Sequence, residues 1–276
     1  MRLRQVALVA SDLEVTTGRL AKLLGIDYGY HDPGIIEFGL DNWVAAIGDT
    51  FLEVVSPVQE NTTAGRYLER RGGDGGYMVI LQVPDLDAAR ARVEKVGARI
   101  VWTAQGTGDA GETTEGAHVH PRDCGGAILS VDEAKPTEAW AWAGPGWQDH
   151  DSSFLSQICG VELQSSDAAA MAVRWGELLG AGTSERLTPD GRPAWAIDLD
   201  TGVQGSAGGA SKRGVIRFVQ DENGRGDGVA AFDVALLSAK ALEAAVEDLG
   251  AKLVRGEGGD AWVDEAGVRV FYREPT

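Results

Sequence analysis

The apolar residues fall into two alternating rhythms. Gln5-Val-Ala-Leu-Val-Ala10 is a short, nearly continuous apolar run, as in a buried strand. Ser11 or Asp12 can accept the free amides of a first helical turn. Leu13, Leu20, Leu23 and Leu24 then mark one face of a helix that Gly25 stops. Short strands are predicted at 34–39, 43–47 and 50–55. The order returns with a strand over 77–83, a helix over 85–96, a strand at 99–102, and strands around 117–120 and 127–131. One helix and several short strands per module describe a βαβββ unit.

The second half repeats the first. Leu20-Ala-Lys-Leu-Leu-Gly25 returns as Trp175-Gly-Glu-Leu-Leu-Gly180, and Val93-Glu-Lys-Val-Gly97 as Val246-Glu-Asp-Leu-Gly250. Each repeat is a supersecondary unit that must bury its apolar face on a neighbour. Four units in two pairs therefore divide the 276 residues into a first domain over 1–133, a connection over 134–153 and a second domain over 154–276. The connection carries Trp140, Trp142 and Trp147 around Gly144-Pro-Gly146. Three indoles are too much apolar area to leave wet. They are expected to glue the halves together, the alternative being a lid over a ligand. The stretches 202–214 and 222–227, rich in Gly and polar residues, read as flexible surface loops.

Composition narrows the function. A net charge of −17 argues against a nucleic-acid or anionic-membrane surface. It serves solubility, an acidic cleft for cationic ligands being the sharper alternative. The two cysteines, Cys124 and Cys159, support neither a disulfide framework nor a Cys-based zinc site. Without an apolar signal core or a run of about 18 apolar residues, a cytoplasmic protein is expected.

Paired βαβββ modules with Asp12-Leu13 after the first strand and Leu-Leu-Gly at the helix end resemble the vicinal oxygen chelate superfamily, which includes glyoxalase I, extradiol dioxygenases, bleomycin-resistance proteins and methylmalonyl-CoA epimerase. The resemblance implies an α+β protein of two tandem domains, each of two βαβββ modules forming a cupped mixed sheet. Residues 5–132 look most like methylmalonyl-CoA epimerases, through Gly34-Ile-Ile-Glu37, Leu52-Glu53-Val-Val-Ser-Pro57, Ala64-Gly-Arg-Tyr-Leu-Glu-Arg-Arg-Gly72 and His120-Pro-Arg-Asp-Cys-Gly-Gly126.

Position by position, the family's four metal ligands fall on Gln5, Glu53, Met78 and Ser130. Gln5 and Glu53 can hold a divalent cation. Met78 and Ser130 suit a hard cation poorly and are expected to contact substrate instead. His118 could complete a rebuilt metal site. His120, on the same strand face, reads as a strand-end hydrogen bonder. The second-half equivalents, Gly160, Arg217, Val229 and Phe271, cannot hold a cation. That half is a packing partner, or a cup whose Arg217 serves an anionic ligand.

Glu37 falls where the epimerases carry one of two carboxylates that move the proton alpha to a thioester, the other falling on Ser130. Arg66, Arg70 and Arg71 form a basic helix face that suits a carboxylate or the tail of an acyl-CoA. The resemblance implies a glyoxalase- or epimerase-like lyase or isomerase with a small-molecule ligand and a partly degenerate divalent-metal site, as a monomer or homodimer. The alternatives are a non-catalytic binding or sequestering protein of the bleomycin-resistance type and an extradiol dioxygenase-like enzyme.

Overall fold

A computed structural model describes residues 1–199, 214–256 and 259–274. Most of the predicted loop at 202–214 lies outside the described residues. The first sheet has seven strands: β1 (Arg2–Val9), β2 (Leu40–Ile47), β3 (Thr50–Pro57), β4 (Gly75–Gln82), β5 (Ile100–Thr107), β6 (Thr113–Val119) and β7 (Ile128–Lys135), in the spatial order β2-β3-β1-β4-β7-β6-β5. Helices α1 (Leu13–Leu24), α2 (Thr63–Arg71), α3 (Leu86–Lys95) and α4 (Pro121–Cys124) connect them. The second sheet comprises β8 (Leu155–Ser165), β9 (Ser184–Leu187), β10 (Pro193–Leu199), β11 (Gly214–Gln220), β12 (Gly228–Leu236), β13 (Val254–Arg255), β14 (Ala261–Glu265) and β15 (Val268–Arg273), with helices α5 (Ala168–Leu179) and α6 (Ala239–Leu249).

The duplication is visible in the pairing. β1 runs parallel to β3 and antiparallel to β4, and β8 does the same with β11 and β12. β4 lies parallel to β7, as β12 does to β15. The helix ends follow local chemistry: Asp12 accepts from the Val15 amide, and Asp167 from the Ala170 amide. Gly25 and Gly180 end those helices at φ of 64° and 65°, left-handed values that a side chain would disfavour.

One predicted strand is not a strand. Residues Pro33–Phe38 form a 3-10 helix, with Asp32 accepting from the Gly34 amide and Gly39 ending the turn at φ 70°. Pro33 has a fixed φ and no N–H to give a ladder, and the Asp32 side chain satisfies the next amide locally. Ile36 and Phe38 are left exposed.

Because strand side chains alternate, each sheet has two inner surfaces to fill. Val6, Leu8, Val79 and Leu81 share one buried cluster with Leu20, Leu23 and Leu24 of α1 and with Val161, Leu163, Phe232 and Val234 of the second sheet. The opposite face of the first sheet, the inside of its curl, carries Ala7, Val9, Phe51, Val55, Met78 and Ile80. The tryptophan segment belongs to this inner face and does not glue the halves together. Trp140 is fully buried, stacked at 6.1 Å on Phe51, with Trp147 edge-on to the same ring at 4.9 Å. The buried Arg4 guanidinium lies among the rings of Phe51, Trp140 and Trp147, and donates to the carbonyls of Glu138 and Ala139.

Beyond the shared cluster, the halves are joined by an exchange of arginines. Arg71, at the end of α2, donates to the backbone carbonyls of Arg225, Gly226 and Asp227. Arg225 donates back to the carbonyls of Arg71, Gly73 and Asp74, and to that of Gly267. Residues 222–227, read from sequence as a flexible loop, are thus part of a hydrogen-bonded seam.

Candidate functional site

The inside of the first curl encloses a hollow of about 570 Å³. Gln5, Glu37, Glu53, Met78 and His118 all line it, on β1, the 3-10 turn, β3, β4 and β6. Their convergence follows from the fold, since β1, β3 and β4 are direct neighbours and β6 joins them through β7.

The Gln5 and Glu53 pair is closed on itself. Gln5 Nε2 donates to Glu53 Oε2 at 2.9 Å, and Asn42 Nδ2 donates to Glu53 Oε1 at 2.8 Å. Gln5 Oε1 accepts from Trp140 Nε1 at 2.7 Å. Burial pushes the Glu53 carboxyl above its usual value, Asn42 and Gln5 pull it back, and Asp32 adds to the rise. The other carried-over positions contribute little to a metal. Met78 is a buried thioether, and Ser130 Oγ is fully buried against Asp132 Oδ1. Among the described residues, no three His, Cys, Asp or Glu side chains gather so as to hold a metal ion. An amide whose N–H points at the carboxylate, a thioether and a spent hydroxyl do not fit a divalent cation.

His118 stands apart from that network. Its ring lies 4.2 Å from Trp102, and burial lowers its pKa to about 4, so it is neutral near pH 7. His120 caps α4, its Nδ1 accepting from the Arg122 amide at 3.1 Å. Arg66 and Arg70 do not line the hollow. Arg66 folds onto the Asn61 carbonyl and Thr63 Oγ1, and Arg70 lies over the Tyr67 ring at 5.0 Å. With Arg71 turned into the seam, the expected basic face for a carboxylate or acyl-CoA is not assembled. Ser130, expected to touch substrate, is covered.

Asp132 and Asn42 are the site residues that the sequence reading missed, while Trp140 and Trp142, expected between the halves or over a ligand, lie at this hollow's wall or bonded to its side chains. Asp132 is two residues beyond Ser130, hence on the same strand face, and that spacing could have found it. Its carboxyl accepts from Ser130 Oγ and, at 2.8 Å, from Trp142 Nε1. Burial raises it to about 7 against those two hydrogen bonds. Asp132 and Trp142 both line the hollow.

The inside of the second curl is built differently. Arg217 is buried and paired through both terminal nitrogens with Asp233, and through Nε with Glu162 at 3.3 Å. Glu162 also takes Arg192 at 2.7 Å, and Asp233 takes Arg273 at 3.3 Å. Arg192 and Arg269 share Asp190, and Arg273 reaches Asp260 at 2.9 Å. Burial opposes the Arg217 charge, but Asp233 and Glu162 outweigh it and hold the group above its usual value. Arg217 is therefore satisfied by its own chain and is not waiting for an anionic ligand.

No family model matches the chain. Over 48% of its length it is 26% identical to an ethylmalonyl-CoA/methylmalonyl-CoA epimerase of Cereibacter sphaeroides, covering 97% of that protein. It is 24% identical to the mitochondrial methylmalonyl-CoA epimerase of Homo sapiens over 48% of this chain and 74% of that one. Among solved structures, a triple mutant of 4-hydroxymandelate synthase from Streptomyces coelicolor superposes with a TM-score of 0.70 at 13% identity, covering 100% of this chain and 92% of that one. The Mn(II)-bound glyoxalase from Novosphingobium aromaticivorans gives 0.63 at 13%, covering 99% and 81%. The protein has the tandem vicinal oxygen chelate fold, in two curled mixed sheets. Over 48% of its length, the sequence is similar to methylmalonyl-CoA epimerases.

Proposed function

We propose that the first curl binds a small, largely apolar molecule without a resident divalent metal ion, and that the chain is a binding or sequestering protein built on this fold. One observation carries the reading. Both ends of the Gln5 amide and both oxygens of Glu53 are already hydrogen-bonded to side chains of the same chain. Releasing them to a cation would leave Asn42 and the buried Trp140 N–H without acceptors, at about 1–3 kcal/mol for each orphaned group. Meanwhile the hollow is open enough for a ligand and is walled by Met78, Ile80, Ile128, Trp102 and Trp142.

Metal analysis of protein supplemented with Mn²⁺ during expression tests this. The expected result is less than a tenth of an equivalent of any divalent ion. A full equivalent that disappears in Glu53→Ala overturns the reading.

A second reading keeps chemistry in the hollow and is favoured by Asp132. Near pH 7 its carboxyl is divided between acid and base, and Glu37 lines the same space. Such a pair could withdraw and return a proton alpha to a carbonyl. Exchange of that proton with D₂O, in a ligand shown to bind, is the readout. No exchange above the buffer rate removes the second reading and leaves the first.

A further inference from the structure

The side chains around the first hollow have a one-sided charge. Asp32, Glu37, Glu53 and Asp132 line it, and among the described residues no lysine or arginine does. Glu53 and Asp132 are spent on internal donors, but the two at the rim are not. Asp32 uses one oxygen, Oδ1, on the Gly34 amide. Glu37 forms no hydrogen bond or ion pair among the described residues and is exposed. Aromatic rings stand beside these carboxylates. Phe38 meets Trp102 edge-on at 5.9 Å, and Tyr77 and Trp142 lie further in. Arg66 and Arg70, which act electrostatically on the wall residue Tyr77, are turned onto Asn61, Thr63 and Tyr67.

Resting on the reading of this hollow as a small-molecule site, we propose that its ligand is an organic cation: an ammonium group held at Asp32 and Glu37, on an apolar or aromatic body seated against Trp102 and Trp142. Carboxylates attract the charge directly, and ring faces attract a cation that has shed part of its water. The chain as a whole, at −17, draws cations towards it and repels anions. An anionic ligand would have to enter past two carboxylates without an ion-pair partner, and among the described residues no basic side chain lines the hollow to meet it.

Three probes with one body separate the possibilities: 4-phenylbutylammonium, 4-phenylbutanol and 4-phenylbutyrate, titrated calorimetrically into the full chain near pH 7.5. The ammonium should bind about tenfold more tightly than the alcohol, which is about 1.4 kcal/mol, and the carboxylate more weakly than either. In Asp32→Asn/Glu37→Gln, which keeps an acceptor for the Gly34 amide, the ammonium and the alcohol should bind alike. If the carboxylate binds as well as the ammonium, or the preference survives in the double variant, the charge assignment is wrong. If the alcohol binds and the ammonium does not, the cation proposal falls while the small-molecule reading stands. If none of the three binds, both fall.

Discussion

In the first curl a carboxylate, two amides and an indole are joined by neutral donors, and beside them a hollow remains. In the second, Arg192, Arg217, Arg269 and Arg273 alternate with Glu162, Asp190, Asp233 and Asp260 in a continuous ionic lattice. Both descend from one repeated unit, and both must satisfy polar groups facing the inside of a curled sheet. A hydrogen-bonded carboxylate needs only a few donors and leaves room. A buried charge needs a partner for every charge added, so the lattice extends across the curl, and the cavity of about 690 Å³ beside it is lined by the same ionic groups, Glu162, Arg192 and Arg269. The contrast explains why the first half offers a hollow with apolar walls and the second a charged one, although the two share a topology.

The largest test of that contrast is Arg217→Ala, which leaves Glu162 and Asp233 partly uncompensated. It should cost about 3–5 kcal/mol in urea-induced unfolding. Gln5→Ala, its counterpart in the first curl, should cost about 1–3 kcal/mol. Equal costs would mean that the two interiors are held together in the same way.

The pH dependence of stability sharpens the difference. Burial raises the Asp132 carboxyl from 3.8 in the unfolded chain to about 7, so folding takes up a proton within that window. Its contribution is therefore greatest at low pH and is lost as pH rises, by at most about 1.4 kcal/mol per pH unit. Glu53, also raised by burial, acts in the same direction. In Asp132→Asn the decline between about pH 4 and pH 7 should shrink, as read from urea midpoints. An unchanged slope would show that Asp132 is not the group that titrates.

Trp140→Phe removes the N–H given to Gln5 and part of the buried indole volume, while keeping a ring beside Arg4 and Phe51. It should cost about 1–3 kcal/mol. The smallest expected effect is that of Mn²⁺ or EDTA, which should each move the Tm by less than about 1 °C, since a metal that binds only the folded state stabilises in proportion to its occupancy.

Much of this architecture is legible in the chain. The helix starts at Asp12 and Asp167 and the stops at Gly25 and Gly180 are local events, and the repeat carries the strand order with them. That Gln5 and Glu53 share one hollow follows once that order is known. The same local reading fails at 33–38, where a run of apolar residues suggests a strand but Pro33 and Asp32 set a turn. The site's connections were harder to see, for a different reason. Trp140 reaches Gln5 from 135 residues away, and Arg217 is neutralised from strands β8 and β12. No periodicity reports such pairings, so Arg217 looks like a free cation and Gln5 like a free ligand until the chain is folded.

Part of the seam between the halves is made by two guanidinium groups that each grip main-chain oxygens. Main-chain oxygens are the same whatever residue carries them. Three of the positions facing Arg71 and Arg225, Gly73, Gly226 and Gly267, lie at φ of 128°, 80° and 70°, which side chains disfavour, so the two arginines grip a backbone path that glycine keeps available. The loss of either arginine cannot be offset by substitution on the opposite side.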